Sequence, residues 1–261
     1  MNLISISIVL FNSPEKIYLP LVKKLINSDL DLILVIVDND DIEKKFSKSK
    51  KICYIKNNKN YGFGKSHNIA LKKIAFKSKF HLFVNPDIRF SISDLIRLIE
   101  YMKTNKDIDI LMPNIKNFYG HKLHYCKKLP NPIDLLTRRF FPFIKTDYEI
   151  KNLKNKFVKN IPNLSGSFLL TRTNAIKKIG GFDERFFLYM EDVDLVRRIR
   201  MLGQTMFFPK VTVFHQEQRG SYKSYRLLLL HIISCIKYFN KWGWFFDKRR
   251  KQLNNQLKIS N

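Results

Sequence analysis

Five carboxylates lie within twelve residues of a chain that is otherwise strongly basic: Asp183, Glu184, Glu191, Asp192 and Asp194. The whole chain has 48 Lys and Arg against 22 Asp and Glu, which gives a formal net charge of +26. Carboxylates that lie close together repel one another and raise one another's pKa. The cluster therefore indicates a role for the acids, such as binding a cation, accepting a proton or pairing with an arginine.

A structural explanation of part of the cluster is also available. The acids begin a predicted helix over residues 191–202, which Gly203 ends, and negative charges stabilise the amino end of a helix. Asp194 lies four residues before Arg198, which is the spacing of an ion pair on one helical face. For Asp194 and Glu184 we favour this structural explanation.

Polar residues also follow three of the predicted strands at corresponding places. The first strand ends at Asn12, the second at Asp38 and Asn39, and the fourth at Asn85 and Asp87. The carboxyl ends of neighbouring parallel strands share one crevice, in which such sheets bind their ligands. Asn and Asp are also common turn formers, so a local role is the alternative at any one of these positions.

The elements that position these residues are those of an α/β fold. Apolar, β-branched runs predict buried strands, and apolar residues at helical spacing predict the helices between them. The predicted strands are 3–10, 31–38, 52–55, 80–84 and 108–112, and the predicted helices are 14–28, 66–76 and 93–103. This alternation predicts a doubly wound, mostly parallel sheet. Residues 114–160 do not continue this alternation of strands and helices and are predicted to be irregular. Beyond them we predict an apolar segment at 164–171, strands at 205–208 and 211–214, and a long C-terminal helix.

The glycine-rich segment argues against one class of nucleotide-binding protein. A dinucleotide-binding fold carries G-x-G-x-x-G directly after its first strand, where this chain reads FNSPEK. Gly62 and Gly64 instead follow the third strand, in NYGFGKSHN, and the chain has no Walker loop. The helix that they open presents amino-terminal N–H groups, which favour a phosphate or the close approach of a ligand.

Composition narrows the remaining classes. A hydrophobic content of 45% excludes a disordered chain. Cys53, Cys126 and Cys235 lie far apart, which predicts neither a disulfide framework nor a zinc site and indicates a cytoplasmic location. The N-terminus is typical of a buried strand rather than a signal peptide, and no apolar run reaches the roughly 18 residues of a membrane span. The positive charge indicates an anionic partner, but no zinc-finger spacing, RNA-binding signature or basic-leucine repeat supports nucleic acid.

The C-terminal segment, 221–261, is basic and amphipathic. Arg226, Ser234, Lys237 and Lys241 share one side of a predicted helix whose other side is apolar. Tryptophans and basic residues that flank such a helix are typical of helices lying in a membrane interface. Docking of the helix on the catalytic core is the alternative.

Seven segments of the chain resemble the family 2 glycosyltransferases, and in particular the bacterial rhamnosyltransferases that build surface polysaccharides. The segments are Asn12, VDN at 37–39, NYGFGKSHN at 60–68, FVNPD at 83–87, LSGSFLLTR at 164–172, GGFDERFFLYMEDVDLVRRIRMLG at 180–203 and FH at 214–215. Each motif is weak alone, but all of them occur in the family's order and spacing. The resemblance implies a GT-A-type nucleotide-diphospho-sugar transferase fold with a C-terminal amphipathic helix.

The resemblance also implies a nucleotide-sugar donor in the strand-end crevice, with Asp38 at the edge of the nucleobase. The residues that it places at the donor are Asn12, Asp38, Asn39, Asn60, Gly62, Gly64, Asn68, Asn85, Asp87 and Arg198. Asp87 would bind Mg²⁺ or Mn²⁺, and His215 would be a second metal or diphosphate contact. Asn85 stands where the family carries the first acid of a D-x-D motif, which removes one charge from the site. A surface role is the alternative for His215.

On the acceptor side, the resemblance implies that Asp192 is the catalytic base and that Glu191 orients the acceptor or the base. In sugar transfer with inversion, the attacking hydroxyl loses its proton as it attacks, which requires a positioned carboxylate. Ser165, Gly166 and Ser167 would lie beneath the acceptor and the donor sugar. For the two serines, a place in a core strand is the alternative.

Together these features predict an inverting glycosyltransferase that moves a sugar, with rhamnose as the candidate, from a nucleotide-diphosphate donor to a lipid-linked or growing surface glycan. We expect a catalytic domain at 1–220, with a nucleotide-sugar half at 1–113 and an acceptor half at 114–220, and a membrane-associating tail at 221–261. The expected location is the inner face of the cell membrane, with an anionic membrane surface as partner. The alternatives are a non-catalytic nucleotide-sugar-binding protein and a basic nucleic-acid-binding protein.

Overall fold

The computed structural model describes residues 2–74, 77–121, 123, 125–141, 143–144, 147–150, 153, 156–216 and 224–260. The strands in this part of the chain are β1 (Asn2–Leu10), β2 (Leu32–Asp38), β3 (Ile52–Lys56), β4 (Ser78–Val84), β5 (Ile88–Arg89), β6 (Ile108–Lys116), β7 (Cys126–Lys127), β8 (Phe157–Lys159), β9 (Asn163–Leu164), β10 (Phe168–Arg172), β11 (Gln204–His215) and β12 (Lys258–Ser260). The helices are α1 (Glu15–Ile26), α2 (Phe63–Lys73), α3 (Ile92–Thr104), α4 (Pro132–Phe140), α5 (Thr173–Ile179), α6 (Glu191–Arg200), α7 (Tyr225–Trp242) and α8 (Lys248–Asn255).

One large sheet organises the fold. Its strand order is β12-β8-β11-β6-β10-β4-β1-β2-β3, and β5 is attached to β11. The pairs β1–β2, β1–β4, β2–β3 and β6–β11 are parallel, whereas β10 runs antiparallel to both of its neighbours, β4 and β6. The long strands other than β10 therefore point in one direction, so the sheet is mixed but mostly parallel, as the sequence predicts. Strands β7 and β9 form a separate pair.

The apolar runs that predict the strands also fill the core. Ile4, Ile6, Ile8 and Leu10 on one face of β1 are fully buried, and β2 is buried along almost its whole length. Burial of each such side chain contributes roughly 1.5–3 kcal/mol. Helices α1 and α3 cover the sheet with apolar stripes at helical spacing: Leu21, Val22, Leu25, Leu95, Leu98, Ile99 and Met102.

The other face of β1 carries buried polar side chains that hold helix α2 to the sheet. Ser7 Oγ lies 2.7 Å from His67 Nδ1 of α2 and 2.8 Å from His81 Nε2 of β4, and Ser5 Oγ lies 2.7 Å from His81 Nδ1. Burial lowers the pKa of His67 to about 3, so this network is uncharged at neutral pH. The network fixes the position of α2, whose amino end lies at the candidate site.

Two details of the predicted architecture are wrong. The strands predicted at 205–208 and 211–214 are one strand, β11, because a register shift between Phe208 and Thr212 takes up the intervening residues as a bulge against β6. The segment 114–160 is not simply irregular, since it contains β7, α4 and β8. Asn131 and Asp134 form a capping box, and Pro132 occupies the first position of α4. Both features are sequence signals for the start of a helix.

The C-terminal helices pack against the rest of the chain. Tyr238 and Phe239 of α7 and Leu253 of α8 are buried in a cluster with Phe186 and Val193, among others. The docked alternative is therefore correct for one face of α7. Its other face exposes apolar side chains: Leu229, Ile232, Ile233 and Ile236. Of the helices described, none is long and apolar enough to cross a membrane.

Candidate active site

The carboxyl ends of β1, β2 and β4 meet at one edge of the sheet. Asp38 ends β2 and is fully buried. Its Oδ2 accepts a hydrogen bond from the Tyr54 hydroxyl at 2.6 Å, its Oδ1 accepts one from the Asp40 N–H at 3.0 Å, and Lys44 Nζ lies 3.9 Å from Oδ1. Asn12, with φ of 50°, donates its N–H to the Asp40 carboxylate. These contacts order the turn after β2, and a contact of Asp38 or Asn12 with a nucleoside stays a prediction.

Asn39 is the centre of a buried amide network at the same edge. Its Nδ2 donates to Asn60 Oδ1 at 3.2 Å and to Ser66 Oγ at 2.8 Å, and its Oδ1 accepts from Asn57 Nδ2 at 2.7 Å. Asn60 Oδ1 also accepts the N–H of Gly62 at 2.8 Å. The structure thus brings Asn39, Asn60 and Gly62 together and ties the end of β2 to the start of α2.

The two glycines at the start of α2 allow the acidic segment, residues 182–194, to approach this helix closely. Gly62 has φ of 80°, and a Cβ there would lie 2.1 Å from the Phe187 carbonyl oxygen. The N–H of Phe63 donates to that same oxygen at 3.0 Å. A Cβ on Gly64 would lie 3.0 Å from Phe182 Cβ. Packing against the segment before α6 therefore explains both glycines, and a contact of either with donor phosphate stays a prediction.

Asn68 holds the other end of the acidic segment. Its Oδ1 accepts the N–H of Phe182 at 2.8 Å, and its Nδ2 donates to the Phe182 carbonyl at 2.8 Å and to Glu184 Oε1 at 3.1 Å. Glu184 Oε2 also lies 3.3 Å from Lys65 Nζ. Glu184 therefore has the structural role that the sequence favours, and the assignment of Asn68 to the donor stays a prediction.

Asp87 and His215 converge at the end of β11. The pairing of β5 with β11 places His215 Nε2 3.1 Å from Asp87 Oδ1 and 3.4 Å from Asn85 Nδ2. His215 Nδ1 is hydrogen-bonded to the Tyr125 hydroxyl at 2.8 Å, which fixes the orientation of the ring. The Asp87–His215 contact lacks hydrogen-bond geometry, so Asp87 Oδ1 is a buried oxygen with no hydrogen-bond partner in the described part of the chain.

This pair suits a divalent cation. A carboxylate oxygen and an imidazole nitrogen are both common ligands of such ions. Here the Tyr125 hydroxyl orients the imidazole, and the Asp87 oxygen next to it has no hydrogen-bond partner among the described residues. No group of three or more His, Cys, Asp or Glu within the described ranges would hold a metal alone. A metal at Asp87 and His215 would thus take its remaining ligands from phosphate and water, as expected for Mg²⁺ or Mn²⁺.

A short turn connects this pair with the acids of α6. The N–H of Asn85 donates to the Ser167 carbonyl at 3.0 Å, and the N–H of Gly166 donates to Asp192 Oδ2 at 2.9 Å. A Cβ on Gly166 would lie 3.0 Å from Asp192 Cβ, so only glycine fits comfortably here. Ser165 Oγ donates to Ser167 Oγ at 3.2 Å within the turn. The structure therefore places Asn85 and Asp192 on two sides of one turn.

Burial raises the pKa of both acids at the start of α6. For Glu191, which is 5% exposed, burial raises the pKa well above its usual value, and the charge of Asp192 adds to this. Glu191 Oε2 has no hydrogen-bond partner among the described residues. Burial also raises the pKa of Asp192, and the N–H groups of Gly166 and Val193 and the charge of Lys127 offset part of the effect. A raised pKa makes a carboxylate a better proton acceptor at neutral pH, which a general base requires.

Asp194 lies in a different environment, although it is only two residues further along. Its Oδ2 accepts from Arg198 Nε at 2.7 Å, and its Oδ1 accepts from Lys241 Nζ at 2.5 Å and from Trp242 Nε1 at 2.8 Å. Arg198 also donates to the backbone carbonyls of Ile179, the last residue of α5, and of Gly181, at 2.8 and 2.7 Å. Asp194 therefore has the structural role expected for it. The contacts of Arg198 are likewise internal, and its assignment to the donor stays a prediction.

The backbone before Glu191 is strained. Tyr189 and Met190 have φ of 68° and 63°, a conformation that costs about 1–3 kcal/mol for such residues. Helix α7 holds this turn, because Ser234 Oγ donates to the Leu188 carbonyl at 2.8 Å and the rings of His231 and Tyr189 lie 4.7 Å apart. No sequence signal marks this strain, since neither residue is a glycine or an asparagine.

The strand-end crevice and the turn at Gly166 lie in a region with relatives of known type, whereas the acids of α6 and His215 lie beyond that region. Residues 5–180 match the family model described as Glycosyl transferase family 2. The chain belongs to this family.

Curated relatives of this family 2 chain include two rhamnosyltransferases. Rhamnosyltransferase WbbL of Escherichia coli K12 is 27% identical over 164 residues, which are 59% of this chain and 60% of WbbL. An N-acetylglucosaminyl-diphospho-decaprenol L-rhamnosyltransferase of Mycobacterium tuberculosis H37Rv is 49% identical over 59 residues, which are 22% of this chain and 19% of that protein. The chain thus spans 60% of the first relative and a smaller share of the second.

Solved structures confirm the predicted GT-A-type fold. TarS 1-349 of S. aureus superposes with a TM-score of 0.60 at 17% identity, over 96% of this chain and 69% of that chain. The mannosyltransferase PcManGT of Pyrobaculum calidifontis, solved with GDP-Man and Mn²⁺, superposes with a TM-score of 0.56 at 12% identity, over 90% and 64% of the two chains. At these identities the likeness concerns the fold alone.

Sequence reasoning missed two residues that lie beside the candidate site residues. Tyr125 and Lys127 belong to the segment predicted to be irregular, and no motif marks either of them. A cavity of about 530 Å³ lined by Arg200, Arg249 and Gly203, among others, opens at the other end of the sheet, where β6 and β11 begin. It lies away from the strand-end crevice, so we do not assign it to the active site.

Proposed function

We propose that this protein transfers a sugar, with inversion, from a nucleotide-diphosphate donor to a glycan or polyprenyl-linked glycan acceptor. The observation that carries the proposal is the turn at Gly166, which holds the Asp192 carboxylate on one side and, through Ser167, the end of β4 on the other. A proton acceptor and a candidate diphosphate site are thus joined by one turn. Such a pair is what transfer of a glycosyl group requires.

In this mechanism Asp192 accepts the proton of the attacking hydroxyl. The Gly166 N–H fixes the orientation of one carboxylate oxygen, and burial keeps the proton affinity of the carboxylate high. Glu191, which is buried beside it, orients the acceptor or the base. Asp87 and His215 would hold Mg²⁺ or Mn²⁺, which when bound neutralises charge on the leaving diphosphate.

The donor would lie along the strand ends between these groups. We assign its nucleoside to the edge formed by Asn12, Asp38 and the Asn39–Asn60 network, with residues 1–113 as the donor half. Residues 114–220 would form the acceptor half, with Ser165 and Ser167 beneath the sugars. The names of the two relatives favour rhamnose as the sugar, and the name of the mycobacterial relative favours a diphosphate-linked lipid as the acceptor.

Metal-dependent donor binding tests the site. Thermal shift against a panel of nucleotide sugars with Mg²⁺ or Mn²⁺ should identify the donor, and calorimetry then measures its affinity. Asp87→Ala should abolish the metal-dependent part of that affinity while leaving the fold intact. Unchanged metal-dependent affinity in this variant would show that Asp87 is a turn residue and not a metal ligand. Donor binding without any sugar transfer would instead indicate a non-catalytic binding protein.

We also propose that the protein associates with the inner face of the cell membrane through its C-terminal segment. The support is the exposed apolar face of α7, with side chains such as Ile232 and Ile236 more than 40% exposed, next to the basic residues of α8. One basic residue must be left out of this surface. Arg250 is only 8% exposed and donates to the carbonyls of Pro130, Trp244 and Phe245.

Point substitutions test this association better than truncation, because removal of α7 would take Tyr238 and Phe239 out of the core. Ile232→Ser with Ile236→Ser should reduce sedimentation with anionic vesicles and spare donor affinity. Ile96→Ser on α3, where the side chain is 40% exposed, is the matched control. Equal sedimentation of the wild type, the double variant and the control variant at low salt would contradict membrane association through α7.

A further inference from the structure

A polar cavity of about 530 Å³ lies where β6 and β11 begin, at the end of the sheet opposite to the strand-end crevice. Three segments form it: the start of β6, the turn between α6 and β11, and helix α8. The volume lies within the roughly 300–1,000 Å³ that is typical of small-molecule sites. The cavity has no role in the sugar transfer proposed above. The polar residues that line it include Lys106, Asp107, Arg200, Arg249, Gln252 and Gln256.

Arg200, the last residue of α6, brings a buried positive charge to this cavity. The residue is only 7% exposed. Its Nη1 donates to the Gly203 carbonyl and its Nη2 to Gln256 Oε1 at 2.8 Å, while its Nε has no hydrogen-bond partner among the described residues. Both acceptors are neutral, and no described carboxylate forms an ion pair with Arg200. Because buried charges are normally paired, a counter-ion for this guanidinium is missing from the described part of the chain.

Arg249 of α8 adds a second guanidinium to the same cavity. Its Nη1 donates to Gln252 Oε1 at 2.6 Å, three residues further along the helix, and this acceptor is also neutral. Burial lowers the pKa of Arg200, and the nearby charge of Arg249 lowers it further. Like charges that lie close together destabilise each other. An anion bound between the two arginines would remove this repulsion.

The two acids of the cavity lie on a different element, at the start of β6, and have cations of their own. Asp107 Oδ2 lies 3.3 Å from Lys159 Nζ. Burial raises the pKa of Asp109, and the charges of Arg172 and Lys178 offset part of this rise. These cations belong to β8, β10 and α5, so the acids are balanced without the arginines of the cavity. Their oxygens can accept hydrogen bonds from hydroxyl groups.

We propose that this cavity binds a small phosphorylated polyol, such as a sugar phosphate. The phosphate group would lie between Arg200 and Arg249, and the hydroxyl groups would contact Asp107 and the amides of α8. Guanidinium groups bind phosphate oxygens through paired, charge-assisted hydrogen bonds, and the phosphate supplies the missing counter-ion. The volume leaves room for more than a phosphate group, and the polar lining suits hydroxyl groups. The site lies apart from the strand-end crevice and does not depend on the proposed transfer reaction.

Calorimetry of the full-length protein with glucose 6-phosphate tests the site. The titration is run in EDTA, so that no divalent cation assists phosphate binding at Asp87 and His215. The wild type should bind glucose 6-phosphate more tightly than either glucose or inorganic phosphate. Arg249→Gln should weaken this binding about 10- to 100-fold, the loss expected for one or two charge-assisted hydrogen bonds. Lys248→Gln is the matched control. It removes the same charge from an exposed neighbouring position that does not line the cavity, and it should change the affinity less than about threefold.

Three results would overturn the proposal. The first is equal affinity of the wild type and Arg249→Gln for glucose 6-phosphate, including the case in which neither binds it. The second is equal affinity of the wild type for inorganic phosphate and glucose 6-phosphate, which would exclude a polyol as the ligand.

The third result would assign Arg249 to a membrane surface instead. In that case Arg249→Gln and Lys248→Gln would reduce sedimentation with phosphatidylglycerol vesicles equally, and both would leave glucose 6-phosphate binding intact. Arg200→Lys tests the buried arginine itself, because it keeps the charge but loses the planar guanidinium, and it should weaken the binding about tenfold. Since Arg249 is exposed, its variant tests the site even where a change at Arg200 disturbs folding.

Discussion

The first turn of α6 carries three acids with opposite surroundings. At its start, Asp192 is held by backbone N–H groups, and Glu191 is buried with one oxygen lacking a hydrogen-bond partner in the described ranges. Two residues after Asp192, Asp194 is fully buried yet receives hydrogen bonds from Arg198, Lys241 and Trp242. The first pair keeps a high proton affinity, whereas the second acid is neutralised by fixed cations.

The difference shows that the acids of α6 form two groups with separate roles. A buried charge with well-placed partners holds structure together, and removal of one partner leaves the others uncompensated. A buried acid without such partners destabilises the fold, and it persists where chemistry uses its proton affinity. Helix α7 supports both groups of acids. Lys241 and Trp242 donate hydrogen bonds to Asp194, and Ser234 holds the strained turn before Glu191.

The largest expected effect on stability comes from Asp194→Ala. This change leaves Arg198 and Lys241 facing each other without their shared carboxylate, so we expect a loss of about 3–5 kcal/mol in the free energy of unfolding. Urea denaturation measures it. Glu100→Ala is the matched control, because Glu100 and Lys103 form an exposed pair at 2.7 Å and such pairs contribute about 0–1 kcal/mol. Equal losses in the two variants would show that Asp194 is not a structural anchor.

Glu191→Gln should make the protein more stable, by an amount that grows with pH. Folding raises the pKa of Glu191 above its reference value of 4.5, so the folded state holds the proton more tightly and wild-type stability falls as pH rises through this range. Glutamine cannot ionise and avoids that loss. Melting temperatures of the two proteins from pH 4 to pH 8 should therefore diverge as pH rises. A constant difference would mean that Glu191 ionises freely in the folded protein.

A smaller effect is expected for Ser234→Ala, which removes the hydrogen bond to the Leu188 carbonyl. We expect a loss of about 1 kcal/mol in stability and a fall of about three- to tenfold in kcat, because the turn before Glu191 relaxes. The KM for the donor should not change, since the hydrogen bond of Ser234 goes to the turn before Glu191 and not to a strand-end residue. Ser234→Thr keeps the hydroxyl and should restore kcat. If donor KM rose in parallel with the fall in kcat, α7 would be a general support rather than a support of the acids.

Much of the strand-end region follows from sequence because its signals are local. The apolar runs of β1, β2 and β4 predict the parallel strands, and parallel strands necessarily bring Asp38, Asn39 and Asp87 to one edge. The spacing of Asp194 and Arg198 on one helix predicts their ion pair in the same way. In each case a short range of residues decides the outcome.

The region around Gly166 and the acids of α6 is harder to predict because its contacts join distant segments. The Gly166–Asp192 hydrogen bond spans 26 residues, the Tyr125–His215 bond 90 residues, and the Lys241–Asp194 pair 47 residues. The left-handed turn at Tyr189 and Met190 is imposed by tertiary packing against the preference of both residues. The docking of α7 was an open alternative for the same reason, since an amphipathic pattern does not specify what covers the apolar face.

The most direct test of the separate roles of these acids compares Asp192→Asn with Asp194→Asn in one transfer assay, run well below the melting temperature of both variants. Asparagine keeps the shape of either side chain but cannot accept the proton. The account predicts that Asp192→Asn lowers kcat about 10²- to 10⁴-fold at unchanged donor affinity, and that Asp194→Asn keeps kcat within about threefold of the wild type while lowering its melting temperature. Near-normal turnover in Asp192→Asn, or a loss of turnover as large in Asp194→Asn, would contradict it.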